Sequence, residues 1–454
     1  MPDVAEFDAL TTEFYEVWLH YHPELAPQAG LPVTGRLLPA QDDDDLSALR
    51  GWLEELLLGL DEVNFLALDA DRQLDWELLA GAARVEHWEL SDCDWYHLDP
   101  RRCLPGAVLQ WLTWGPAEAL DDTRGDTLAR LLSEVPQHLR RAQARLQMAA
   151  VRLAAPLLRV AADEAHSVRR ALRELARGPW WHQYAQGHAG VYAQLEAADA
   201  ALAGYQHCLT QDLAPRARGA LGCGGEHLGL RLRELHFIDC ELDSDPGRGQ
   251  AAIRRALERA ELALADPPAA PEPVAAQRLA QGCGGRHHFA VTDPERARRL
   301  PRRLANDVSL AMGWHLYLGH RLPRRAPGDG ARPGLAAERE RLLLAWLDLD
   351  LHTGRIDGDG ALARLRQQGL AGPAADARLV QLARHPGEAL AGVLGWQLLE
   401  QARHSHAAGD GGGFAERDFH DLVVSQGAIP LPLVLRYGHG PSLWQAAYAG
   451  VLGR

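Results

Sequence analysis

Asp348 and His352 are the side chains in this sequence whose types and spacing are best suited to acid–base chemistry. They lie four residues apart in a mostly apolar run. On a helix, residues four apart share a face, so the carboxylate can orient the imidazole for proton transfer or binding. Thr353 and Gly354 follow as a typical helix end. The same pair could also be an inherited packing contact, and the sequence leaves both interpretations open.

The elements that must position this pair are helices. Apolar residues recur at three- and four-residue spacing along most of the chain, as they do in amphipathic helices. The clearest segments are 48–60, 127–153, 164–176, 191–209, 250–265, 335–351 and 386–404. Alternation typical of strands is confined to 235–242 and 288–292. We therefore predict an all-α fold with at most a minor short β element.

The obvious linker is the proline-rich segment 266–273, which its prolines make stiff and extended. We expect a two-lobed helical body around a central cleft. The amino-terminal helical lobe would span 1–265, and the carboxyl-terminal lobe 274–454.

Several motifs resemble those of the DUF885 family, large helical bacterial proteins grouped with the gluzincin-type metallopeptidases. Residues 347–353 resemble its VDTGLHT motif, 385–390 its PGQAL motif, 313–317 its EGWALY motif, and 419–431 its closing FHD and GxxPL segment. The resemblance spans nearly the whole chain, and the order and spacing of the motifs carry it. It implies the helical fold and cleft of a metallohydrolase.

The resemblance also implies a metal site, but the chain departs from the family at its ligands. Where an HExxPGHH segment is expected, Gln281 and Gly282 replace the His-Glu pair, and Met312 replaces the Glu of EGWALY. Gly392 and Val393 replace the Tyr and Lys that follow PGQAL. Zinc hydrolysis needs three protein ligands and a carboxylate base. We predict no metal and no cofactor.

The candidate site residues fall in two groups. Asp348 and His352 are the predicted catalytic pair. The residues expected to line the cleft and bind a ligand are His287, His288, Trp314, His315, Tyr317, Arg355, Arg384 and Glu388. A zinc site rebuilt from His288, His315, His352 and Glu388 is an alternative, because imidazoles and a carboxylate are proper zinc ligands. Cys283, beside His287 and His288, could pair with a histidine as a nucleophile, or be a small residue in a turn.

Composition excludes several function classes. The chain contains no Lys, which excludes P-loop, pyridoxal Schiff-base and kinase mechanisms. A net charge of −14 argues against nucleic acid as the main partner. No apolar run is long enough to span a membrane, and the acidic amino terminus lacks the apolar region of a signal peptide. We expect a cytoplasmic protein without a membrane partner.

Three functions are consistent with these observations. The first, which we favour, is a non-catalytic relative of a metallohydrolase whose cleft binds an unknown small molecule or peptide. The second is an active hydrolase with a relocated metal or with chemistry from Asp348 and His352. The third is a metal-free enzyme acting on a small acidic substrate held by Arg355 or Arg384.

Overall fold

The computed structural model describes residues 2–33, 35–93, 95–113, 121–265, 299–305, 307–321, 335–370, 372–409 and 415–453. Within these ranges the regular elements are helices. The α-helices, numbered in chain order, are α1 Pro2–Tyr21, α2 Asp43–Glu62, α3 Ala70–Ser91, α4 Trp95–Leu98, α5 Gly106–Thr113, α6 Asp122–Met148, α7 Ala155–Arg177, α8 Pro179–Gly187, α9 Val191–His207, α10 Gly225–Glu234, α11 Pro246–Ala265, α12 Leu300–Ala305, α13 Val308–Arg321, α14 Leu335–His352, α15 Gly358–Gln367, α16 Pro373–Arg384, α17 Glu388–Gly409, α18 Glu416–Val424, α19 Leu431–Val434 and α20 Pro441–Leu452. The all-α prediction is confirmed.

The short strand predicted at 235–242 is wrong, because this segment is a loop after α10. Phe237 and Glu241 have φ values of 56° and 55°, which are incompatible with an extended strand. The other predicted strand, 288–292, lies outside the described residues, and so does the linker 266–273.

The packing divides the chain into two compact units. The carboxyl-terminal unit comprises residues 1–4, 63–85 and 221–454, and the amino-terminal unit comprises residues 5–62 and 86–220. This division differs from the predicted lobe boundary at the linker. Helix α11 belongs to the carboxyl-terminal unit because it packs on α14, α17 and α20.

The core of the amino-terminal unit lies where α9 packs on both α6 and α7. Their apolar side chains recur every three or four residues, and in α7 Leu158, Ala161, Ala165, Val168 and Leu172 are all buried. The apolar face that the spacing predicts therefore lies against the core. Burial of each large apolar side chain there contributes about 1.5–3 kcal/mol to the stability of the fold. None of the described helices is long and apolar enough to cross a bilayer.

The carboxyl-terminal unit is built around α13 and α17, which cross in close contact. Glycines make this approach possible. A Cβ atom on Gly395 would overlap the carbonyl oxygen of Ser309, and one on Gly313 would lie 2.8 Å from the carbonyl carbon of Gly395. A Cβ on Gly392 would overlap the sulfur of Met312. The two helices are therefore fixed at a separation that only glycine permits at these positions.

We expect Gly395→Ala to lower the free energy of unfolding by at least about 2 kcal/mol, because backbone rather than a flexible side chain blocks the new methyl group. Gly409→Ala, at the open end of the same helix where a Cβ meets nothing within 4 Å, is the matched control. Urea denaturation of both variants measures the difference. Equal stability of the two variants would contradict the close contact.

Candidate functional site

Asp348 lies near the end of α14, and its carboxylate caps the start of α17. It is 0% exposed. Oδ1 accepts a hydrogen bond from the Gly387 N–H at 3.0 Å, and Oδ2 accepts one from the Leu390 N–H at 3.1 Å. Burial raises the pKa of Asp348 to about 7, although both backbone donors favour the carboxylate. Both oxygens are therefore engaged by the first turn of α17, where free N–H groups need acceptors.

His352 is the last residue of α14 and is 1% exposed. Its Nδ1 accepts the Cys223 N–H at 3.1 Å, so the proton is on Nε2, which donates to the carbonyl oxygen of Leu382 at 3.1 Å. Burial lowers the pKa of His352 to about 4, which keeps the ring neutral. The ring thus ties the segment before α10 and the end of α16 to α14.

The predicted catalytic pair is brought together, with His352 Nε2 3.5 Å from Asp348 Oδ1. That distance is longer than a normal hydrogen bond. Every polar atom of the two side chains has a backbone partner, and both side chains are almost fully buried. In this conformation the pair holds three segments of the fold together.

Trp314 and Tyr317, two aromatic residues expected to bind a ligand, form a cluster with His420 of the FHD motif. The Trp314 and Tyr317 rings stack with centroids 5.6 Å apart, and Tyr317 Oη lies 2.9 Å from His420 Nε2. Burial lowers the pKa of His420 to about 4, so the ring is neutral and its Nε2 can accept a hydrogen bond from the Tyr317 hydroxyl. The GWHLY and FHD segments, over 100 residues apart in sequence, therefore meet inside the carboxyl-terminal unit.

The remaining predicted binding residues occupy different environments. His315 and Arg355 are exposed, whereas Arg384 and Glu388 are partly buried at the end of α16 and the start of α17. Glu388 Oε1 lies 3.2 Å from His385 Nδ1. His287, His288 and Cys283 lie outside the described residues. Among the described residues, no group of three or more His, Cys, Asp or Glu side chains could hold a metal ion.

Sequence reasoning missed a buried network beside this region. His236, in the loop after α10, has Nδ1 2.6 Å from Asp307 Oδ2. The other oxygen of Asp307 accepts the backbone N–H of Ser309 at 2.7 Å and also its hydroxyl proton. Ser309 Oγ in turn accepts the Leu431 N–H at 3.1 Å. No pattern in the sequence links these four residues, because loop and helix-start positions are joined only by the fold.

A second buried cluster lies in the amino-terminal unit and contains His22 of the His22-Pro23-Glu24 segment. His22 Nε2 lies 2.8 Å from Glu86 Oε1, which also accepts the Tyr96 hydroxyl. Burial alone would lower the pKa of His22, but the charge of Glu86 and hydrogen bonds to Glu24 and Glu86 raise it to about 9. Burial alone would raise the pKa of Glu86, but the charge of His22 and hydrogen bonds to His22 and Tyr96 lower it to about 2. His22 is therefore a charged residue in the interior of this unit at neutral pH.

The chain is similar in fold to solved structures of other proteins. No family model matches the chain, and no curated protein matches it. A candidate lipoprotein of unknown function from Shewanella oneidensis has a similar structure, with a TM-score of 0.62, 12% identity and coverage of 94% of this chain and 98% of that one. A candidate lipoprotein from Colwellia psychrerythraea gives 0.61, 14%, 95% and 98%. At these identities the likeness establishes the fold alone, and the DUF885 resemblance stays a prediction.

We expect Asp348→Ala to lower the free energy of unfolding by about 2–4 kcal/mol, because it leaves two buried N–H groups without an acceptor. The matched control is Asp357→Ala, which removes an exposed cap from the Gly360 N–H of α15 and should cost about 1 kcal/mol. Denaturation of the two variants measures the difference. A smaller loss for Asp348→Ala than for the control would contradict the capping role.

We expect the amino-terminal unit to become less stable as the pH rises from about 6.5 to 9. The folded pKa of His22 is raised, so its contribution is complete below the unfolded value of 6.5 and is lost as the pH passes about 9. The change is on the order of 3 kcal/mol at 1.36 kcal/mol per pKa unit. Urea denaturation across this range should show a steeper decline for the wild type than for His22→Gln. His166→Gln, an exposed substitution, should leave the wild-type slope unchanged.

Proposed function

We propose that this chain is a non-catalytic protein that uses a helical metallohydrolase-like scaffold to bind a small molecule or peptide. The observation that carries the proposal is the hydrogen bonding of Asp348 and His352 to the backbone. Both carboxylate oxygens accept backbone N–H groups, and both imidazole nitrogens are hydrogen-bonded to backbone. Both side chains are also almost fully buried, so neither is exposed to a substrate proton or a cation.

The contact between α13 and α17 supports the same proposal. Met312 and Gly392 stand where the resemblance implies a glutamate ligand and a tyrosine, and the Met312 side chain fills the space beside Gly392. A larger residue at 392 would displace Met312. Met312 and Gly392 therefore pack against each other, and this packing requires neither a charged group nor a phenol at either position.

The alternative of a metal-free hydrolase based on Asp348 and His352 has a geometric requirement. Nδ1 holds the lone pair of the neutral His352 ring, so it would have to release the Cys223 N–H before it could accept a proton. Breaking this buried hydrogen bond costs about 1–3 kcal/mol for the N–H group left behind.

The metal content of the untagged protein tests the proposal. We expect well under one equivalent of zinc per chain after purification, and no saturable rise in the unfolding temperature when ZnCl₂ is added. His352→Ala should lower stability by about 2–4 kcal/mol through lost packing and hydrogen bonds, with no change in zinc content. One tightly held equivalent of zinc that disappears in His352→Ala would contradict the proposal and favour instead the active hydrolase with a relocated metal.

A further inference from the structure

Two large apolar side chains are exposed together where α6 ends. Met148, the last residue of α6, is 84% exposed, and Val151, in the short 3₁₀ helix Ala150–Arg152 that follows, is 63% exposed. Residues three apart in helical backbone share a face, so the two side chains project from the same side of the chain. Together they form an apolar patch that the fold leaves in contact with water.

A second segment of the same unit places two arginines beside this patch. The Arg218 N–H donates to the Val151 carbonyl at 3.2 Å, and Arg216 Nη2 donates to the Gln147 carbonyl at 3.5 Å. Arg218 Nη1 donates to two carbonyls of its own segment. Both arginines are exposed and bond to backbone carbonyls, so no carboxylate in the described part of the chain neutralises their charge.

Residues 147–152 and 215–218, which we call the basic tip, lie in the most basic part of the amino-terminal unit. The sequence has five Arg and no Asp or Glu over 135–162, and two Arg and no Asp or Glu over 213–225. Asp212 is the carboxylate nearest to the tip in sequence. Because the whole chain has a net charge of −14, this positive charge is a local feature.

Neither helix capping nor ordinary surface composition explains the tip. Cations near the carboxyl end of a helix complement its dipole, which explains the arginines but not the exposure of Met148 and Val151. Single exposed apolar residues are common and need no explanation. Leu58, for example, is 67% exposed, but it stands on α2 among acidic residues. The tip differs because exposed apolar side chains and exposed arginines occur together.

We propose that the basic tip docks on an anionic lipid surface. Such a surface is complementary to both features, since headgroup phosphates attract the arginines while Met148 and Val151 enter the boundary between headgroups and acyl chains. A nucleic acid would attract the arginines but offers no apolar layer. Acidic groups elsewhere on the protein do not prevent docking, because charges farther away than about 10 Å are screened at 0.1 M salt.

This docking goes beyond the proposed binding function. It also differs from the expectation, drawn from the sequence, that the protein has no membrane partner. That expectation rested on the lack of an apolar run long enough to span a bilayer, and contact with a lipid surface needs no spanning helix.

Co-sedimentation of the full chain with lipid vesicles tests the apolar part of the proposal. We expect saturable binding to vesicles of equal parts phosphatidylglycerol and phosphatidylcholine. Combining Met148→Ser with Val151→Ser should weaken this binding by about tenfold, because less apolar surface enters the lipid. Leu58→Ser, which changes a similarly exposed side chain, is the matched control and should bind as the wild type does. Equal affinity of the double variant and the wild type would overturn the proposal.

Arginine variants test the electrostatic part. Combining Arg216→Gln with Arg218→Gln should weaken binding to the anionic vesicles by about tenfold. Arg170→Gln, which changes an exposed arginine of α7 near Glu174, is the control and should leave binding unchanged. Equal binding of the wild type to vesicles of phosphatidylcholine alone would overturn the proposal. So would binding to duplex DNA or polyglutamate in the absence of any binding to vesicles, because the tip would then recognise a soluble polyanion.

Amide hydrogen exchange of the wild type keeps the test decisive if a variant unfolds. Anionic vesicles should slow exchange over 147–152 and 215–218 and leave 54–60, around Leu58, unchanged. Unchanged exchange at the basic tip while the protein sediments with vesicles would place the lipid contact elsewhere and overturn the proposal. Tightly bound zinc, in contrast, would contradict the proposed function without affecting this inference.

Discussion

The carboxyl-terminal unit depends on the hydrogen bonds that the Asp348 carboxylate accepts from the first turn of α17. A helix start leaves N–H groups without partners, and this start is buried where water cannot supply acceptors. The Asp348 carboxylate accepts hydrogen bonds from two of these N–H groups and so joins the end of α14 to the start of α17. His352, one turn later, adds the segment before α10 and the end of α16. The positions of α10, α14, α16 and α17 thus follow from two polar side chains four residues apart.

The same contacts explain why a pair with the spacing of a catalytic dyad can be structural. Catalysis and the stability of the fold both require the lone pairs of these side chains. Breaking a buried hydrogen bond between such a lone pair and the backbone costs free energy. His236 presents the opposite case. Its Nδ1 contacts Asp307, but Nε2 is buried and has no hydrogen-bond partner in the described part of the chain.

Much of the fold could be predicted from the sequence, because amphipathic spacing depends only on local geometry. Helix α14 begins and ends within a residue of the predicted 335–351 segment. Alternation predicts a strand over 235–242, but it does not reveal the positive φ of Phe237 and Glu241, which makes this segment a loop. The pairing of Asp348 with His352 was visible as an i, i+4 spacing. Their backbone partners, and the meeting of His236 with Asp307 across 71 residues, depend on tertiary packing that no local pattern encodes.

The glycine-lined crossing of α13 and α17 also constrains how this protein could have evolved. Met312 occupies the volume into which any side chain at 392 would grow, while Gly395 holds the two backbones at that distance. A mutation that enlarges residue 392 is therefore tolerated only after residue 312 has become smaller or the helices have separated. The order of substitutions is therefore restricted, and the present packing disfavours the introduction of larger polar side chains at these positions one at a time.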